Sequence, residues 1–166
     1  MKKICVRKMV LAAMFACLSY VLCTFFYFPS MAPFQHFVNV LAAVFLGPWY
    51  AFTAAFITGI MRMMSSRTIQ ALVGAIFGPL LSGLFYGTNQ KLWSAMVREV
   101  IGTGIISAVV AYPLMRAFYG LDVKSPFYYI PFYLPSALMG ALLAVLALGG
   151  LGRAGILHRL RQDINS

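Results

Sequence analysis

The stretch MVLAAMFACLSYVLCTFFYFPSMAPFQHFVNVLAAVFLGPWYAFTAAFITGIM, residues 9–61, carries no charged residue between Lys8 and Arg62. A membrane core about 30 Å thick takes about 20 apolar residues as a helix, so this run holds more than one span. Breakers divide it. Pro29, Ser30 and Pro33 make a short uncharged turn, and Gly47-Pro48 makes a second. Proline disrupts the preceding helical turn and glycine lets the chain reverse, so Gly47-Pro48 predicts two helices over 34–61 rather than one long tilted one. The stretch reads as helices over about 7–28, 34–47 and 49–64.

Outward from it, charge-free runs at 68–90, 100–115 and 125–152 repeat the pattern. Turn signals at Gly87-Thr88-Asn89, at Gly120 and at Pro126, Pro131 and Pro135 place further helices over about 68–86, 92–118 and 131–150. The expectation is an all-α integral membrane protein, one transmembrane domain over 1–166 with six transmembrane helices. Composition agrees: 62% hydrophobic, 10% charged, mean hydropathy +0.87, against about 45–50% and about 25% in soluble domains. That argues against a soluble enzyme, a disordered chain, and a nucleic-acid binder with one solvated basic face. The first apolar stretch is too long for a signal peptide and no cleavage site follows it.

Bases outnumber acids 13 to 3. Lys2, Lys3, Arg7, Lys8, Lys91, Arg153, Arg159 and Arg161 would lie inside, and Arg62, Arg67, Arg116 and Lys124 outside. The bias puts both termini in the cytoplasm of a plasma-membrane protein and requires an even number of spans. Cys5, Cys17 and Cys23 sit in or beside the first helix and read as small apolar fillers. There is no Gly-Lys-Ser/Thr phosphate loop, no metal-ligand spacing around His36 or His158, and no nucleophile–base constellation. No catalytic residue, metal or cofactor is expected. A proton-driven pump would want acids along its path, and Glu99 stands alone.

Polar residues at membrane depth are the candidate site. Gln35, His36 and Asn39 open the second helix, with Gln35 and Asn39 four apart on one face. Buried amides pair with another helix or with a ligand; three polar residues together point to a ligand. Arg62 and Arg67 flank the next outer turn and either snorkel to headgroups or clamp a polar group. In Pro126-Phe-Tyr-Tyr-Ile-Pro-Phe-Tyr-Leu-Pro135, the aromatics read as an interfacial belt, or Tyr129 and Tyr133 as a stacking cage. Glu99, Thr103 and Ser107 form a polar stripe. Glu99 lies only about 10 Å from the cytoplasmic end by helical rise, so an outer site would be reached from Ser107 or Tyr112. Small residues four apart make packing seams at Ala12/Ala16, Gly74/Gly78/Ser82 and Ser136/Gly140/Ala144.

The run Pro33-Phe-Gln-His-Phe-Val-Asn-Val-Leu-Ala-Ala-Val-Phe-Leu-Gly-Pro-Trp-Tyr50 resembles a signature of the ThiW family. Glu99-Val-Ile-Gly-Thr103 resembles a second family segment, in which proline is usual in place of Val100. The resemblance implies a substrate-binding S component of an energy-coupling factor (ECF) transporter, assigned to the thiazole precursor of thiamin, hydroxyethylthiazole. It implies an S-component-like bundle, capture of a small heterocycle from outside, and docking in the bilayer on a transmembrane T subunit driven by two ATP-binding subunits. On that reading Gln35, His36, Asn39, Arg62, Glu99, Tyr112, Tyr129 and Tyr133 serve the substrate, and Ala12 and Ala16 meet the T subunit. One segment departs from the family pattern. Ser65-Ser-Arg-Thr-Ile-Gln-Ala-Leu-Val-Gly74, with Arg67 and Gln70, replaces a glycine-rich turn and a Phe-Pro-Gly piece, and the resemblance implies that this region faces the ligand.

Overall fold

The computed structural model describes residues 5–26, 32–121 and 124–165. Lys2, Lys3, Phe28, Pro29, Ser30 and Asp122 lie outside the described residues, and with them the expected end of the first helix. The helices are α1 (Val6–Phe25), α2 (Pro33–Leu46), α3 (Pro48–Met64), α4 (Gln70–Asn89), α5 (Leu92–Tyr119), α6 (Ile130–Arg153) and α7 (Ile156–Asn165). There is no strand among the described residues. Among the described residues four helices, α1, α4, α5 and α6, are long and apolar enough to cross a membrane. The 14 residues of α2 rise about 21 Å, short of the hydrocarbon thickness.

Gly47 divides α2 from α3 as its neighbours predict. It takes φ +84°, a left-handed conformation that suits glycine, and Pro48 then opens α3, where a missing N–H costs nothing. The most buried helix is α2: almost every residue from Pro33 to Leu46 is shielded by α1, α3, α4, α5 and α6. Its polar residues therefore face protein. Lipid-type exposure falls on α1 (Val10, Met14, Leu18) and α6 (Leu138, Leu142, Leu146).

The small-residue seams are used inside the bundle. Gly78 and Gly102 bring α4 and α5 into backbone contact, since a Cβ on Gly102 would sit 2.8 Å from the Gly78 Cα. Gly140 lets α6 lie against the first turn of α2. Ala12 and Ala16 are 3% and 1% exposed, and the Thr58 hydroxyl donates to the Ala16 carbonyl at 3.2 Å. Within the chain the Ala12/Ala16 seam packs on α2 and α3, and its docking on a T subunit stays a proposal.

Two features were not anticipated. The middle of α5, Gly102–Ser107, is π-helical, and the Ser107 hydroxyl donates back to the Gly102 carbonyl five residues earlier at 3.1 Å. The wider turn keeps Glu99, Thr103 and Ser107 all fully buried. Helix α7 caps one end of the bundle. Leu157 and Ile164 pack on the core, Arg161 donates to the Gln90 side chain at 2.5 Å, and Arg7 of α1 donates to the Asp163 carbonyl. The start of α1 and the end of the described chain thus share one end of the molecule.

Candidate functional site

At the opposite end, a cavity of about 260 Å³ opens between α2, α3, α4 and α6. The chain makes it by bringing helix starts together. Gln35 and His36 come from the first turns of α2, Gln70, Ala71 and Gly74 from α4, and Phe132, Tyr133 and Ser136 from α6. Arg62 from the last turn of α3 and Ser66, Arg67 and Thr68 from the following turn close the rim. That turn is tight: Ser66 adopts φ +64°, and the Arg67 N–H donates to the Arg62 carbonyl at 3.1 Å. The Tyr20 hydroxyl meets that of Ser65 at 2.6 Å, and the Ile69 N–H donates to the Tyr119 hydroxyl at 3.1 Å, so α1 and α5 anchor it.

Gln35 is 1% exposed. Its Oε1 accepts from Arg62, while its Nε2 has no hydrogen-bond partner among the described residues. A buried amide donor left unmade costs about 1–3 kcal/mol, which marks a place where a ligand acceptor fits. The Ser136 hydroxyl accepts from the Ala32 N–H at 2.8 Å, and the Tyr133 hydroxyl donates to the Gln70 carbonyl at 3.2 Å. A Cβ at Gly74 would meet the Tyr133 ring at 2.9 Å, so that glycine gives the ring its seat.

Beneath the cavity lies a polar hub. Glu99 is fully buried, and its Oε1 meets His36 Nδ1 at 3.2 Å, Asn39 Nδ2 at 3.0 Å and Thr103 Oγ1 at 3.2 Å. The Asn39 amide also donates to the Ala75 carbonyl at 3.2 Å, and Ser82 lies 3.4 Å from Oε2. One carboxylate thus ties α2, α4 and α5 together. His36 connects the two layers, its side chain lining the cavity above and contacting Glu99 below.

The expected site residues divide accordingly. Gln35, His36, Arg62 and Tyr133 line the cavity; Asn39 and Glu99 support it from the hub. Glu99 itself does not line the cavity, but it touches His36, which does. Because α2 is short, its first turns reach the level of Glu99 on α5. Tyr129 and Tyr112 do not line the cavity. Tyr129 is 6% exposed in an apolar cluster with Val73, Ala108, Ala111 and Met115, and Tyr112 packs on that cluster. The Tyr129 and Tyr133 rings meet edge to face at 6.5 Å, which makes them a packing pair. Phe132, not singled out in the sequence, lines the cavity, as do Ser136 of a small-residue seam and Thr68 of the 65–74 segment. A polar cluster in the 65–70 turn was the available signal for the rim.

The family model for the thiamine-precursor transporter protein (ThiW) matches residues 9–154. No curated protein and no solved structure matches the chain. The match spans every element that builds the cavity and the hub beneath it, and on that ground the chain belongs to the ThiW family of thiamine-precursor transporters.

Proposed function

We propose that the chain is the substrate-binding S component of an ECF-type transporter and that it captures a small heterocyclic thiamin precursor, hydroxyethylthiazole being the first candidate, in the cavity at the start of α2. The observation that carries this is the buried, unsatisfied Gln35 amide beside His36 in a cavity of ligand size. On this reading the chain makes six passes in the plasma membrane, with both termini in the cytoplasm and the cavity facing outward. The shared end of α1 and α7 and the basic residues there support that orientation. Gln35 and His36 supply polar contacts, Tyr133 and Phe132 supply the apolar wall, and Asn39 and Glu99 hold His36 in place. The sequence has no phosphate-binding loop, so uptake draws its energy from a T subunit and two ATP-binding subunits.

Two measurements test this. Purified protein should bind hydroxyethylthiazole, and vesicles holding this chain alone should not accumulate it until the T and ATP-binding subunits are added. Tight binding of hydroxymethylpyrimidine or thiamin instead would replace the ligand and keep the class. Uptake by the chain alone would make it a stand-alone facilitator and overturn the S-component reading.

A further inference from the structure

Two neighbouring side chains on the cavity wall have hydrogen-bonding polarities that the rest of the molecule fixes. The first is Gln35. An amide can be turned either way, but a guanidinium only donates, so the Gln35 atom that meets Arg62 is the oxygen, Oε1. The other atom is therefore Nε2, a donor, and it is buried without a partner among the described residues.

The second is His36, whose ring proton is placed by a chain of contacts. The Ala75 carbonyl only accepts, so the Asn39 atom 3.2 Å from it is Nδ2. That nitrogen also donates to Glu99 Oε1 at 3.0 Å, which makes this oxygen an acceptor. His36 Nδ1 faces the same oxygen at 3.2 Å and so carries the ring proton. In a neutral imidazole one nitrogen donates and the other accepts, so Nε2 is left with a lone pair. Glu99 is fully buried, and the Thr103 hydroxyl donates to its Oε1 at 3.2 Å, which holds the carboxylate in this position. The cavity wall thus offers one fixed donor and one fixed acceptor from adjacent residues of α2.

We propose that the site selects its ligand by a hydroxyl group, which accepts from Gln35 Nε2 and donates to His36 Nε2. This rests on the cavity being the capture site and names what a substrate must carry there. A group that only accepts would leave the His36 lone pair unmet, and one that only donates would leave the Gln35 amide unmet. A site built around a hydroxyl rejects analogues without it more sharply than an apolar pocket rejects by size. Asn39 and Glu99 do not line the cavity and act as positioning residues, because they decide which His36 nitrogen is bare.

The test is equilibrium binding to purified wild-type protein, Gln35→Glu and His36→Asn, with melting temperatures as a check on folding. Gln35→Glu keeps an oxygen for Arg62 and loses the donor. His36→Asn keeps a donor at the level of Nδ1 and has no atom in place of Nε2. The probes are hydroxyethylthiazole and its fluoroethyl analogue, and hydroxymethylpyrimidine and its methyl analogue; the second of each pair keeps the ring and lacks the O–H. In the pair that binds wild type more tightly, the alcohol should bind about tenfold or more tighter than its partner. Gln35→Glu should weaken the alcohol by about tenfold or more, and His36→Asn should bring the pair within about threefold. Equal binding of that pair to the wild type, or a preference for the alcohol that survives in folded His36→Asn, overturns the proposal and leaves the transport reading standing. Failure of all four probes to bind overturns both.

Discussion

The two ends of the bundle are built from the same helices and do opposite things. At the cavity end, α2, α4 and α6 begin, and their opening turns carry Gln35, His36, Gln70 and Ser136 around open space. At the other end α2 finishes on Val44, Phe45 and Leu46, all buried, and α7 closes the bundle with Leu157 and Ile164. Polar contacts there tie helices together at or near the surface, such as Arg161 to Gln90 and to the Tyr86 hydroxyl. The difference is a difference in tolerance. The closed end is a packed core whose parts are interchangeable with other well-packed parts. The cavity end keeps an unmade hydrogen bond at the buried Gln35 amide, an arrangement that costs stability and that the proposed ligand would offset.

Substitutions can break or sharpen that contrast. The largest effect is expected at the hub between the ends. Glu99→Ala removes the acceptor shared by His36, Asn39 and Thr103 and should cost about 3 kcal/mol or more, read as a fall in melting temperature, together with loss of precursor binding. Next comes Ala16→Trp on α1. It drives an indole into a site that is 1% exposed and should destabilise the bundle by about 1–3 kcal/mol; a variant that folds normally yet fails only in assembly with a T subunit would assign the seam to partner docking. Asn39→Ala should cost about 1–2 kcal/mol, since it leaves one Glu99 contact and the Ala75 carbonyl unmet, and should weaken binding through a loosened His36. The smallest effect on stability is expected from Arg161→Ala at the closed end. It removes the contacts of α7 to the Gln90 side chain and to the hydroxyl and ring of Tyr86, should cost about 1 kcal/mol, and should leave precursor affinity unchanged in the same binding assay.

Residues whose role follows from local chemistry were legible in the sequence. Gly47-Pro48 separates α2 from α3 because a left-handed turn and a helix-opening proline are local requirements. Arg62 and Arg67 stood out as charges beside long apolar tracts, and both line the cavity. Features that depend on how helices sit against one another were not legible. Glu99 was judged by its distance along its own helix, but the contact with His36 is decided by the shortness of α2. The π-helical segment adds room in α5 without a distinctive residue to announce it. Tyr129 and Tyr112 looked like site aromatics, yet a tyrosine at membrane depth is as well suited to an apolar cluster, and that is where both pack. For α7 the signal was present in the spacing of Ile156, Leu157, Leu160 and Ile164, a helical apolar stripe too short to stand out beside spans twice its length.

The central claim is that the cavity end holds a thiamin precursor and that the buried Gln35 amide is part of what holds it. Binding of hydroxyethylthiazole and hydroxymethylpyrimidine to purified wild-type protein and to Gln35→Ala tests it most directly, with Arg161→Ala as the control at the far end. The account predicts that Gln35→Ala weakens the tighter ligand by about tenfold or more while the protein stays folded and Arg161→Ala binds as the wild type does. Unchanged affinity in Gln35→Ala would contradict it.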